Sequence, residues 1–263
     1  EREFLPNQDI TLVDSLNPSH TALGMAEGKS SKIIPLIALP KLGVSRIQPR
    51  NREQRFALNL LLQDSIKLVT LVGKAGTGKT LLAIAAGLQK VADEKLYNRL
   101  LISRPVVPMG KDIGYLPGDI NDKLTPWMQP LYDNFDLIFR TQEISEKPGH
   151  WRRGHEELIE MGILQIEPLT YIRGRTIPQQ FLIIDEAQNL TPHEVKTIIT
   201  RAGEGTKIVL TGDPDQIDHP YIDAASNGLT YVVERFKHEP IAGHITLFKG
   251  ERSSLAERAA VLL

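Results

Sequence analysis

Between an apolar run and a helix-forming run, the chain reads GKAGTGKT over residues 73–80. Gly73, Gly78, Lys79 and Thr80 fit the pattern G-x-x-x-x-G-K-[ST], with a strand-like stretch before it and a helical one after it. A bend that only had to turn would not need three glycines and two lysines between two buried segments. Around an anion the composition makes sense. Glycines let the backbone N–H groups of Gly73, Lys74, Ala75, Gly76, Thr77 and Gly78 curl around phosphate, and the following helix offers its positive N-terminal end. Lys79 is expected to reach the β- and γ-phosphates of ATP, and the Thr80 hydroxyl to hold Mg²⁺. Lys74 points less clearly to phosphate and reads equally as a solvated side chain.

A nucleotide site also needs an acidic residue ending a second apolar strand, and FLIIDEAQNL at 181–190 supplies it. Asp185 is expected to hold the magnesium shell through water, and Glu186 to polarise the water that attacks the γ-phosphate. The same pair reads alternatively as a cap for the helix in TPHEVKTIIT, since Asp favours such positions. A water base beside a metal fits a hydrolase better than a kinase of small molecules, which needs a base for its acceptor.

The elements that must position these residues follow from the apolar runs. KLVTLVG, RLLISRP, GILQIEPL, QFLIIDEA, TKIVLTGD and HITLF read as short buried strands. Helical stretches lie near 79–92, 120–140, 152–161, 192–201, 223–236 and 253–262, and RNREQRFALNLLLQD gives one more with a broad apolar face. Strands separated by helices imply crossover units, hence an α/β fold with a parallel sheet covered on both faces. Residues 1–45 differ, with short alternating runs and turn-like breaks, and read as a β-rich N-terminal appendage or linker ahead of a domain at 46–263. The 263 residues are 41% apolar and 24% charged, enough for a sizeable core. A net charge of −1 argues against an all-over basic nucleic-acid binder while leaving room for a local basic groove. The chain has no cysteine, so thiolate metal sites and disulfides are excluded. No apolar run is long enough to span a bilayer and no signal peptide is visible, so a cytoplasmic location is expected. Residue 1 is Glu1 and not methionine, so a fragment or processed chain is expected.

Taken in order, the motifs resemble something specific. DEAQ followed by LTGDPDQID resembles motifs II and III of superfamily one helicases, and RNREQRFAL resembles their adenine-contacting glutamine motif. SRPVVPMGKDIGYLPGDINDKLTPWMQPLYDNF, YIRGRTI and FLIIDEAQNLTPHEVKTIITRAGEGTKIVLTGDPDQID are similar to signatures of the PhoH family of ATPases, over roughly residues 46–263. The resemblance implies a RecA-like P-loop NTPase. It implies that Gln54 reads the adenine edge, an amide being able to donate and accept at once; the alternative is an exposed glutamine at a helix start. It implies that Gln216 senses the γ-phosphate with Asp213 behind it, although GDPDQ standing alone is only a turn. It makes Arg252 in LFKGERSSLAERAAVLL the candidate guanidinium for the γ-phosphate, with Arg201 as second choice and a solvated charge as the alternative. One RecA-like domain lacks the second wall that two-domain helicases supply, which implies a ring homo-oligomer, a hexamer, with ATP near subunit boundaries. The N-terminal stretch resembles the connector of PhoH proteins that carry a PIN-type ribonuclease domain ahead of the ATPase, a domain missing from this chain.

Basic residues near aromatics suggest where a strand would run. Arg173 and Arg175 share a tight turn, and Lys147, Arg152 and Arg153 flank Trp151. Arg104, Lys111 and Tyr115 fall in the loop after the second strand, where helicases of this type track one strand. Trp127 and Phe135 read as the small core of the long insertion that follows. Two functions remain open: an ATPase that translocates on or unwinds single-stranded RNA, DNA not being excluded, and an ATP-driven switch or scaffold with no strand in its pore.

Overall fold

The computed structural model describes residues 4–28, 32–105, 120–143, 154–172 and 174–250, without the side chains of 120–126 and 141–143. These residues form two sheets. The smaller is antiparallel, with β2 (Thr21–Ala26) between β1 (Asp9–Val13) and β3 (Ile33–Pro35). The larger has six parallel strands in the order β6-β5-β7-β8-β4-β9. They are β4 (Leu68–Gly73), β5 (Arg99–Arg104), β6 (Leu164–Pro168), β7 (Gln180–Ile184), β8 (Lys207–Gly212) and β9 (Ala242–Leu247).

The central strands are buried along their length because both faces of the sheet are covered. Side-chain alternation sorts them. Phe181, Ile183 and Val209 join one core with residues of α1 (Arg52–Leu62), α2 (Lys79–Leu88) and α3 (Ile120–Glu143). Leu182, Ile184, Ile208 and Leu210 join a second core with residues of α5 (Pro192–Ile199) and α6 (Gly228–Phe236). A short α4 (His155–Glu160) precedes β6. The result is the α/β, RecA-like arrangement that the sequence predicts. Among the described helices none is long and apolar enough to cross a membrane.

Boundaries differ from the sequence reading where side chains compete for the backbone. The helix expected over 79–92 is α2 followed by a π-helical turn, Gln89–Asp93, which swings Lys90 onto Asp64 (2.7 Å) and Glu94 (2.9 Å). The helix expected from 223 starts only at Gly228. Asp223 accepts from the Ala225 and Ser226 N–H groups, forming a turn, and the Asn227 side chain caps α6 by accepting from Thr230 N–H. Phe135 is fully buried, but in the first core of the sheet rather than in a small core of the insertion's own, because α3 packs over α2. The helix expected near 253–262 lies outside the described residues.

The N-terminal segment packs firmly on the larger body. Asn7 Nδ2 donates to the carbonyls of Pro240 (2.9 Å) and Ala242 (2.7 Å), Asn59 accepts from Ile37 N–H (3.0 Å), and Met25 and Val44 are part of the first core.

α1 matters most for the site, because its first turn carries Gln54 to the glycine loop while its last turn is anchored at the far end of β8. That anchor is Lys207, a fully buried residue opening β8, whose Nζ donates to the Leu60 (2.9 Å) and Gln63 (2.8 Å) carbonyls. Burial pushes the Lys207 amine far below the ordinary lysine range. The two carbonyls give the amine hydrogen-bond acceptors in place of water. Lys207→Met keeps most of the volume but leaves those carbonyls unpaired, an expected loss of about 1–3 kcal/mol in denaturant unfolding. Lys207→Ala adds a void and should cost roughly 3 kcal/mol or more.

Candidate functional site

The order β7-β8-β4 brings together three strand ends that are far apart in sequence, and the site stands at these carboxyl ends. Gly73 closes β4 against β9: a Cβ there would collide with the Leu247 carbonyl, so no larger residue fits. Gly76 (φ +82°) and Gly78 (φ +89°) turn the loop through left-handed backbone. α2 then begins without a side-chain cap, so its first N–H groups face the loop and stay available to an anion. Thr77 is buried and ties the loop to itself, its Oγ1 donating to the Lys74 carbonyl (2.9 Å). Lys79 Nζ donates to the carbonyls of Gly73 and Lys74, and the Lys74 side chain faces solvent.

Gln54 is at the same loop but is not the exposed helix-start residue that sequence alone allowed. It is buried, its Oε1 accepts from Arg50 N–H (2.9 Å) and its Nε2 donates to the Thr77 carbonyl (3.0 Å). The amide therefore braces the loop and keeps one N–H and one lone pair for anything else.

Asp185 follows β7 directly. Its Oδ1 accepts from Thr80 Oγ1 (2.8 Å) and from Thr211 Oγ1 of β8 (2.6 Å). A threonine hydroxyl and a carboxylate side by side are hard oxygen donors that suit Mg²⁺, which takes one or two protein oxygens and completes its shell with phosphate and water. Among the described residues no group of three or more His, Asp or Glu side chains is placed to hold a metal ion. Asp185 and Glu186 do not cap α5. That helix has its own capping box, Thr191 accepting from Glu194 N–H while the Glu194 carboxylate accepts from Thr191 N–H.

Glu186 sits in left-handed backbone (φ +54°), uncommon for a residue with a Cβ and a frequent mark of a functional turn. Its Oε1 pairs with Arg104 Nη2 (3.2 Å) and its Oε2 accepts from Gln188 Nε2 (2.5 Å). Burial, then the neighbouring Asp185 charge, pushes the Glu186 carboxyl upward; Gln188, Arg104 and Lys79 oppose the rise. Gln188 is the hub the sequence reading missed. Fully buried, it also donates to the Gln216 carbonyl (2.8 Å) and accepts from Asp213 N–H (3.1 Å). Its only advance signal was its position as the last letter of DEAQ. Gly212 is needed beside it, because a Cβ there would strike Gln188 Oε1. Asp213 is buried with Oδ2 unpartnered and Gln216 is exposed; neither lines the pocket beside the glycine loop, and Gln216 is tied to the Glu186 turn through its carbonyl.

One pocket is lined by Gly76, Lys79, Thr80, Asp185, Glu186 and Asn134. Asn134 comes from α3 and carried no sequence signal, since it reaches the pocket only because α3 packs over α2.

Other candidates are less well placed. Arg104 is the last residue of β5 rather than part of a loop, and it turns inward to Glu186. Arg175 is paired with Glu167 (3.2 Å), which removes part of the charge a phosphate would need. Arg201 lies at the opposite end of the sheet, its carbonyl accepting from Ile177 N–H before β7 begins, so it cannot act in this site from within the same chain. Lys111, Tyr115, Lys147, Trp151, Arg152, Arg153, Arg173 and Arg252 lie outside the described residues.

A family model described as PhoH-like protein matches residues 46–260. Among relatives, protein PhoH2 of Bacillus subtilis is 54% identical over 263 residues, which is all of this chain and 58% of that protein. Protein PhoH2 of Mycolicibacterium smegmatis is 34% identical over 254 residues, 94% of this chain and 55% of that protein. The chain thus spans a little over half the length of these relatives. Solved structures are more distant: the large terminase from a thermophilic bacteriophage matches with a TM-score of 0.44 and 14% identity over 81% of this chain and 50% of the other. Pif1 helicase from Candida albicans matches with a TM-score of 0.40 and 16% identity over 82% and 43%. Likenesses this distant carry no argument about activity.

Two variants test the geometry. Gly73→Ala should lose nucleotide binding, measured by titration with a fluorescent ATP analogue, because the new methyl group meets the β9 backbone. Gln188→Ala leaves Asp213 N–H and the Gln216 carbonyl unpaired; unfolding should become easier by about 1–3 kcal/mol, and turnover should fall while nucleotide binding persists.

Proposed function

The chain belongs to the PhoH-like protein family, and on that premise we propose that it is a Mg²⁺-dependent ATP hydrolase coupled to nucleic acid. The observation that carries this reading is the meeting of Thr80 and Asp185 at 2.8 Å, beside Glu186, at the mouth of a glycine loop that opens a helix. Thr80 and Asp185, 105 residues apart, meet beside Glu186, so a hydroxyl and two carboxylates come together at the pocket.

In this reading the backbone from Gly73 to Gly78 and the start of α2 cradle the phosphates. Lys79 exchanges its bonds to the Gly73 and Lys74 carbonyls for the β- and γ-phosphate oxygens. Thr80 and Asp185 are the residues that would hold Mg²⁺, which when bound would supply charge neutralisation at the phosphates. Glu186, its basicity raised by burial, takes the proton of the attacking water as that water bonds to the γ-phosphorus and the bond to the ADP oxygen breaks. Gln216 reports the γ-phosphate to Gln188 through the loop that Asp213 anchors. Gln54 steadies the loop and offers its remaining N–H to adenine. A guanidinium for the γ-phosphate comes from Arg252, in the same subunit or its neighbour. We take residues 46–263 as the ATPase domain and 1–45 as its β-rich appendage, acting in the cytoplasm as a homohexameric ring. The coupled polymer is single-stranded RNA, translocated or unwound, and a PIN-type nuclease domain accompanies the ATPase in the whole protein.

Steady-state ATP hydrolysis, with and without single-stranded RNA or DNA at two salt concentrations, tests this. Lys79→Ala should cripple ATP binding or turnover. Glu186→Gln should keep binding and lower turnover by about 100-fold or more. RNA should raise the unaltered protein's rate, with stimulation fading steeply as salt rises. A rate indifferent to polynucleotide would instead favour an ATP-driven switch or scaffold, and a Glu186→Gln protein at full speed would overturn the assignment of the base.

A further inference from the structure

Arg104 reads from sequence as part of a loop where related helicases track one strand, and the fold places it instead at the end of β5 beside Glu186. It ends β5, the strand beside β7, in the register where Asp185 N–H donates to the Ser103 carbonyl (2.9 Å). Its side chain is 19% exposed. One Nη donates to Glu186 Oε1 (3.2 Å) and the other reaches the Trp127 carbonyl of α3 (3.4 Å). The planar fork of a guanidinium can serve two acceptors at a fixed angle, which an ammonium cannot do as well.

We propose that Arg104 is the positioning residue for Glu186: by bridging the Glu186 carboxylate and the α3 backbone, it sets the direction of the base from the position of α3. The inference rests on the reading of Glu186 as the water base.

Three features support it. The Glu186 carboxylate is held from both sides, Oε1 by Arg104 across the strand gap and Oε2 by Gln188 from its own turn, so its orientation is determined by these two donors. Held this way it lines the phosphate pocket, so the pair aims the carboxylate inward instead of withdrawing it. α3 also sends Asn134, two helical turns beyond Trp127, into the same pocket, so movement of this helix would be felt at the site through two side chains. Arg104 itself touches neither nucleotide nor polymer in this scheme.

The test compares the intact protein with Arg104→Ala, Arg104→Lys, Glu186→Gln and the Arg104→Ala/Glu186→Gln double variant. The readouts are kcat and KM for ATP, affinity for single-stranded RNA and the thermal midpoint. Arg104→Ala should lower kcat by about tenfold or more, the cost of a misdirected base, while KM stays within about twofold. Arg104→Lys should recover part of kcat, and the double variant should be no slower than Glu186→Gln alone, since a residue acting through Glu186 has nothing left to position. An unaltered kcat in Arg104→Ala overturns the proposal, as does a further loss in the double variant. It also fails if Arg104→Ala weakens only RNA affinity, with full kcat at saturating RNA. Full turnover by Glu186→Gln is a different outcome: it removes the reading of the base and this inference with it, whereas a slow Glu186→Gln beside an unaltered Arg104→Ala removes the inference alone.

Discussion

The carboxylate of Asp185 is the point on which the rest of the site turns. It accepts hydrogen bonds from hydroxyls on two other segments, Thr80 at the start of α2 and Thr211 near the end of β8. Those contacts require β8 to lie between β4 and β7, which is the order the sheet adopts. A buried carboxylate without donors would be costly, so the pairing is also a condition on how the strands assemble. The placement of the glycine loop, of the paired oxygens and of the turn bearing Glu186 follows from satisfying one acidic group in a crowded place.

Much of this was legible in the sequence because it is written locally. Eight consecutive residues encode the loop, and four apolar residues followed by Asp185 and Glu186 encode the strand end. The continuous apolar runs also identify a parallel sheet covered on both faces, since a strand buried on both sides tolerates few polar positions in its middle. What stayed hidden depends on neighbours in space. Arg104 meets Glu186 across 82 residues only because β5 lies beside β7, and nothing in RLLISRP says on which side of the following proline the strand ends. Gln188 is a polar residue whose importance arises from three partners on two loops. Gln54 lies at the loop, but its burial follows from the packing of α1 against β4 and β9.

The polar network around the Glu186 turn differs in kind from an isolated ion pair. Gln188 contacts Glu186, the Asp213 backbone and the Gln216 backbone, and Asn189 next to it accepts from Asp218 N–H (2.8 Å) and His219 N–H (3.3 Å). Satisfied networks of this sort rigidify their surroundings, and a shift in one member is passed to the others. The loop after β8 and the Glu186 turn therefore behave as one body.

Lys207 and Gly212 are the two ends of the same strand, separated by about 17 Å of extended chain. The buried amine stands among hydrocarbon and helix carbonyls at one end, while the acidic and hydroxyl groups of the pocket cluster at the other. A substitution at the Lys207 end would therefore be felt at the glycine loop by way of α1, whose other turn carries Gln54, whereas one at the Gly212 end meets Gln188 directly.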